Sequence, residues 1–200
     1  MSTTVITVYN HFMARWKPDA RSRLEQAALE LYSERGFQQV TVEEIAQRAG
    51  LTERTFFRHF ADKREVLFSG AGALQKHLVR ALDDAPHSLS AIDAVGKAVE
   101  AAITLFQGRR PFSRRRQAII AANAELQERE HIKLASLASA LADGLHRRGV
   151  SDPAATLAAE MGIAVFRIAF ERWLDETNER DPSQIVRESL TELKAVTAGR

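Results

Sequence analysis

From Asp19 onward, apolar residues recur with the period of a helix. Leu24, Ala27, Ala28, Leu31 and Tyr32 stand at i, i+3, i+4, i+7 and i+8, the stripe an amphipathic helix buries. Gly36 stops that helix just after Arg35, whose charge suits the negative end of the helix dipole. Thr41 and Glu44 form an S/T-x-x-E capping box, with Val40 and Ile45 placed as the apolar staple around it. Val42, Ile45, Ala46 and Ala49 then predict a helix of about two turns, ended by Gly50. Thr52 can cap a second short helix, Glu53–Phe60, with Phe56 and Phe60 on its inner face. Asp62 can cap a third, carrying Leu67, Ala71, Leu74, Leu78 and Leu82 over about five turns. Beyond Pro86 the pattern predicts helices near Leu89–Gln107, Arg114–Ala122, Ala124–Arg148, Pro153–Glu176 and Pro182–Ala198. Pro153 and Pro182 fit a first helical turn, where a missing N–H costs nothing. No strand-like alternation follows residue 40, so the fold class is all-α. Residues 1–17 lack a helical period and read as a flexible N-terminal arm.

Two short helices joined by a glycine turn bury little separately. They hold each other only by crossing closely, which accounts for small Ala46 at the crossing and Gly50 in the turn. Leu51 and Phe56 would fill the wedge between them. Such a helix-turn-helix projects its second helix so that it fits a DNA major groove. The outward residues of that helix are polar, basic or aromatic, as groove reading requires. They are Thr52, Glu53, Arg54, Thr55, Phe57, Arg58 and His59. Arg54 is the candidate for base readout, because a guanidinium can bond O6 and N7 of guanine together. Arg58, His59, Thr41, Thr52 and Lys63 are candidates for phosphate contacts, Lys63 beside the free N–H groups of the next helix. Glu53 suits its helix N-terminus but repels phosphate; it can accept from a cytosine N4 or face water.

The run QQVTVEEIAQRAGLTERTFFRHFADKREVL (38–67) resembles the N-terminal domain of the TetR family of transcriptional regulators. The motifs are T-V-E-E-I-A, A-G-L-T, T-F-F-R-H-F and D-K-R-E-V-L, after a first helix at 21–35 and its stop at Gly36–Phe37. The resemblance implies an all-helical, two-domain dimer of about nine helices. Three N-terminal helices would bind double-stranded operator DNA. A fourth would lead into a divergent C-terminal domain that binds a small-molecule effector and dimerises through its last two helices. Where the family often has Tyr, this chain has Phe57, which can only pack or touch a thymine methyl or sugar. The expected division is an arm at 1–17, a DNA-binding domain at 18–78 with its helix-turn-helix at 41–60, and a ligand-binding and dimerisation domain at 79–200.

Composition narrows the alternatives. The 200 residues contain no cysteine, so no disulfide, thiolate nucleophile or thiolate metal site exists. Net charge is +2, all of it up to Leu78, where 11 Lys and Arg face 9 Asp and Glu; the rest balances at 17 against 17. The case for DNA therefore rests on where charges sit. Glu128-x-x-His131 is half of a di-carboxylate metal motif without its second copy, so no metal and no cofactor are expected. No G-x-S-x-G, phosphate loop or H-E-x-x-H occurs, so an enzyme is not expected. No membrane span and no secretory signal are read, and the expected compartment is cytoplasmic. The alternative to operator binding is a helical small-molecule-binding or interaction protein that keeps the fold.

Two features of the second half stay open to more than one role. Five arginines fall within Arg109–Arg116, either a solvated helix start, an anionic-ligand site or a second DNA contact. The helix from Pro153 is rich in small residues and apolar on much of its circumference. It either buries one side in its own core and another on a symmetric partner, joined by Ile185, Leu190 and Leu193 of the last helix, or is a fully buried central helix of a monomer. Phe106, Phe112, Ile119, Ile120, Met161, Phe166, Phe170 and Trp173 are pocket candidates or plain core; the ligand-binding residues are unknown.

Overall fold

A computed structural model describes residues 19–175 and 180–199, so the expected arm at 1–17 lies outside the described residues. Among the described residues there are nine α-helices and no strand. They are α1 Ala20–Arg35, α2 Val42–Arg48, α3 Glu53–His59, α4 Ala71–Asp83, α5 Ala91–Ile103, α6 Arg110–Ala121, α7 Ala124–Arg147, α8 Asp152–Asp175 and α9 Pro182–Thr197. The chain divides into two compact units between Ser69 and Gly70, just ahead of α4.

In the first unit, side chains start and stop the helices much as the sequence dictates. Asp19 caps α1 by accepting from the Ser22 N–H at 2.8 Å, and that bond holds its carboxyl below the usual range. Gly36 ends α1 at φ +83° and donates to the Tyr32 carbonyl at 3.0 Å. The Thr41–Glu44 box forms in both directions: Glu44 N–H donates to Thr41 Oγ1 at 3.2 Å, and Thr41 N–H to Glu44 Oε2 at 2.9 Å. Leu24, Ile45 and Phe56 are fully buried where the three helices meet. Each such side chain contributes roughly 1.5–3 kcal/mol on transfer from water.

The helix expected to run unbroken from Asp62 to Leu82 is interrupted. Asp62 does accept from the Arg64 and Glu65 N–H groups at 2.8 and 3.1 Å, but it starts only a short 3₁₀ turn, Glu65–Phe68. Ser69 and Gly70 follow as a turn before α4 begins. Val66, Leu67 and Phe68 are all buried in succession. A tighter turn brings three neighbouring side chains inward, which the narrow buried stripe of an α-helix does not.

In the second unit long helices pack around α5, whose Ala94, Val95, Ala98, Val99, Ala102 and Ile103 are completely buried. It is flanked by α4, α8 and α9, while α7 lies on α8 and α4. Three glycines mark the closest crossings. A Cβ on Gly162 of α8 would stand 2.1 Å from Val95 Cγ1; one on Gly96 of α5, 2.4 Å from Leu190 Cδ2; and one on Gly144 of α7, 2.7 Å from Leu82 Cδ2. At the last crossing Arg147 pairs with Asp83 at 3.1 Å, and Arg148 donates to the carbonyls of Leu82, Ala85 and Pro86 at 3.0, 2.8 and 2.8 Å.

Most boundaries fall within a turn of expectation. One exception is α6, which starts at Arg110 rather than Arg114, with Pro111 in its first turn. Pro111 suits a helix start for the same reason as Pro153 and Pro182.

Candidate nucleic-acid interface

The joint between α2 and α3 is built from backbone and small side chains. Gly50 adopts φ +64°, and the N–H groups of Gly50 and Leu51 donate to the carbonyls of Gln47 and Ala46 at 2.9 and 2.8 Å. Only glycine holds that backbone without strain. Ala46 and Ala49 are buried at the crossing, Phe56 fills the wedge, and Leu51 is half-buried at its edge. Phe56 stacks edge-on with Phe57 and tilted against Phe60, which anchors the inner side of α3.

The outer side of α3 presents two adjacent ridges. Glu53 and Phe57 form one and Arg54 and Arg58 the other, each pair at i, i+4, and all four are exposed. Phe57 keeps 55% of its surface accessible, unusual for an aromatic ring in a small domain. Thr52 is exposed at the N-cap and accepts from the Thr55 N–H at 3.2 Å; Thr55 is half-buried beside it. Thr41 is also exposed, at the N-terminus of α2, with its hydroxyl 3.1 Å from Glu44.

The cations of this unit are unevenly committed. Arg21 donates to the Ser69 carbonyl at 2.7 Å and lies over the Phe60 ring, 5.4 Å from its centroid. Arg35 pairs with Glu44 at 2.7 Å, Arg48 with Glu34 at 2.9 Å, and Arg64 with Asp62 at 2.6 Å. Arg23 donates to the carbonyls of Ala49 and Gly50. Arg54 and Arg58 have no ion-pair partner among the described residues. Among the described residues of the unit, the free positive charge is thus gathered on the ridge next to Phe57.

Two expected phosphate contacts are placed otherwise. Lys63 turns inward, and its ammonium donates to the carbonyls of Phe37, Gln38 and Val40 at 3.0, 3.2 and 2.9 Å. An ammonium has three donors, and all three are used. His59 is half-buried, with its Nε2 enclosed and without a hydrogen-bond partner, so that nitrogen does not face solvent. Burial drives the Tyr32 phenol well above its ordinary pKa, Asp62 adding to the effect, so it stays a donor; it bonds the Lys63 carbonyl at 2.7 Å.

Arg23, which ties the first helix to this turn, is not singled out by the sequence pattern. It stands four residues before Ala27 and eight before Leu31, on the stripe that α1 buries. A cation on an apolar stripe needs acceptors, and that was the available signal. Lys63 gave no local signal, because its acceptors lie 23 to 26 residues away.

In the second unit the Arg109–Arg116 cluster splits up. Arg109 lies over Phe112 and Arg110 over Trp173, at 4.8 and 5.9 Å to the ring centroids; Arg116 pairs with Glu130 at 3.3 Å; Arg114 and Arg115 are exposed. Phe106, Phe166, Phe170 and Trp173 form one aromatic cluster within the core. On α8, Ala154, Leu157, Met161, Ala164 and Ile168 recur at alternating spacings of three and four. Leu157, Met161 and Ile168 are 62%, 38% and 42% exposed. Their upper end opens into a groove of about 390 Å³, also lined by Ile92 and Leu193. Ile185 and Leu190, expected to join such a face, instead serve the chain's own core: Ile185 is fully buried and Leu190 packs on Gly96.

Comparison with known proteins gives two family matches. The model for bacterial regulatory proteins of the tetR family matches residues 25–69, and the model for the MftR C-terminal domain matches residues 89–198. HTH-type transcriptional regulator TcmR of Streptomyces glaucescens is 36% identical over 83 residues, 42% of this chain and 37% of that protein. MftR of Mycobacterium tuberculosis, named for transcriptional regulation of mycofactocin biosynthesis, is 28% identical over 84% of this chain and 83% of its own. Among solved structures, the transcriptional regulator FadR from Bacillus subtilis in complex with stearoyl-CoA superimposes with a TM-score of 0.60. It is 19% identical and covers 86% of this chain and 96% of its own, a likeness of fold.

Proposed function

The chain belongs to the tetR family of bacterial regulatory proteins, and on that footing we propose that it is a cytoplasmic repressor that binds a two-fold symmetric operator as a homodimer and releases it on binding a small-molecule effector. The observation that carries this reading is the uncommitted pair Arg54 and Arg58 on the exposed ridge of α3. Every other described cation of the unit is tied to a carboxylate or a carbonyl. Arg54 reads a base edge, Arg58 and Thr52 hold phosphates, and Thr41 supports them from the start of α2. Phe57 contributes an apolar contact to a thymine methyl or a sugar. Thr55 and His59 stand behind this surface and shape it. Glu53 gives discrimination by excluding phosphate or accepting from a cytosine amine.

The stripe on α8 supports the dimer. A row of apolar side chains at alternating three and four spacing is the surface a second helix packs against. A second copy, presenting the same stripe, covers both at once. The effector binds within the second unit, whose residues for it are not assigned.

Selection of duplexes from a random pool by the purified protein tests the reading. Wild type enriches a two-fold symmetric site, and Arg54→Ala loses preference at one position in each half, about 1–3 kcal/mol of discrimination. A pool left unenriched by the wild-type protein overturns it. Leu157→Glu, placing a charge in the stripe, yields a monomer in sedimentation; a dimer as tight as wild type rejects that face.

A further inference from the structure

Helix α3 is held at both ends by cations that belong to other parts of the unit. At its start, Arg23 of α1 reaches the turn and donates to the carbonyls of Ala49 and Gly50. The fit is close: a Cβ on Gly50 would come within 2.9 Å of the guanidinium. Beyond its end, Lys63 spans back to the loop between α1 and α2, where it meets the carbonyls of Phe37, Gln38 and Val40. The same ammonium stands 4.6 Å from the Phe37 ring centroid. The main chain at Lys63 is fixed in turn by the Tyr32 hydroxyl, and Tyr32 packs edge-on against Phe37 at 5.1 Å. Tyr32, Phe37 and Lys63 therefore close a ring of contacts joining the end of α1, the entry to α2 and the exit from α3.

We infer that Lys63, together with Arg23, is a positioning residue for DNA reading, which fixes the pose of α3 through backbone carbonyls and gives no hydrogen bond to phosphate. The chemistry of the donor set carries this. Three converging carbonyl oxygens suit a compact ammonium with three donors, and nothing remains to offer an external anion. Arginine at the same place presents a flat fork, which meets two acceptors in a plane but not three around a point. The carbonyls concerned lie in a loop outside any helix. The inference rests on the operator-binding reading above.

The test separates positioning from contact by salt. Affinities of wild type, Lys63→Met and Arg58→Ala are measured for the duplex that wild type selects and for random duplex, over a salt series. The temperature lies below each variant's melting point, with the folded fraction read by circular dichroism. For Lys63→Met the ratio of specific to random affinity falls about tenfold or more, while the slope of log affinity against log salt matches wild type. Lys63→Arg does not restore the ratio. Arg58→Ala behaves oppositely, losing about one phosphate contact per subunit from the slope. A Lys63→Met slope reduced by one contact per subunit with the ratio intact overturns the inference, as does a variant equal to wild type in both. If Lys63→Met does not fold, Lys63→Gln, with two donors on a shorter stem, is read by the same two quantities. Failure of wild type to select any duplex strikes at operator binding itself and is distinguishable from each of these outcomes.

Discussion

The two units of this chain hold themselves together by different means. Up to Ser69 two of the three helices have only seven residues, and the joints are bolted by side chains onto backbone: Asp19, Thr41, Thr52 and Asp62 on N–H groups, Arg23 and Lys63 on carbonyls. From Gly70 the helices run up to 24 residues and meet mostly through apolar surface, with glycines where backbones come closest and Arg148 on carbonyls at one crossing. A short helix cannot set its own direction by burial, because it has too little surface to bury. Specific polar contacts set it instead, and they demand particular residues at particular places. Long helices tolerate many sequences, provided volume is conserved.

Substitutions can break or sharpen that contrast. The largest effect is expected at Phe56, the one large wedge under α3, which is completely buried. Phe56→Ala should cost about 4 kcal/mol in urea unfolding of the first unit. A loss below about 1 kcal/mol would show that the polar joints suffice without the wedge. Next is Gly162→Val, where even a Cβ would stand 2.1 Å from Val95. It should cost about 3 kcal/mol, read by thermal melting, since the added methyls must force α8 from α5. Unchanged melting would mean that the crossing opens freely. The smallest is Thr41→Ala, at about 1 kcal/mol for a lost cap. Acid should act on the same joint. The Thr41 N–H, first, and the Arg35 guanidinium hold the Glu44 carboxyl below its ordinary value of 4.5. Its contribution is therefore complete above that value and vanishes as pH falls through the lower, folded-state value. Wild type and Glu44→Gln should converge in stability on acidification, whereas Thr41→Ala, which keeps the backbone N–H, stays nearly parallel to wild type; a Glu44→Gln difference that persists in acid would remove the carboxylate from the account.

The first unit is legible in the sequence because its signals are local. Thr41 announces its helix through a residue three positions on, and Gly50 announces the turn by itself. Lys63 is misleading because its partners are remote in sequence, and a lysine beside a reading helix looks like a phosphate ligand until its acceptors are seen. His59 is misleading because a helix only two turns long leaves its last residue near the core boundary. In the second unit helix positions are readable from period and proline, but facing is not. Ile185, Leu190 and Leu193 look alike on paper; Gly96, far away in sequence, is what draws Leu190 inward.

The commitment of charge in the first unit bears on how the protein finds its target in a genome. Of eight cations described there (Arg21, Arg23, Arg35, Arg48, Arg54, Arg58, Lys63 and Arg64), six are occupied internally, leaving Arg54 and Arg58 among the described residues to feel arbitrary sequence. Grip on bulk chromosome scales with such charges. Dwell times on random stretches should therefore be brief, and few molecules would be stranded far from a true site.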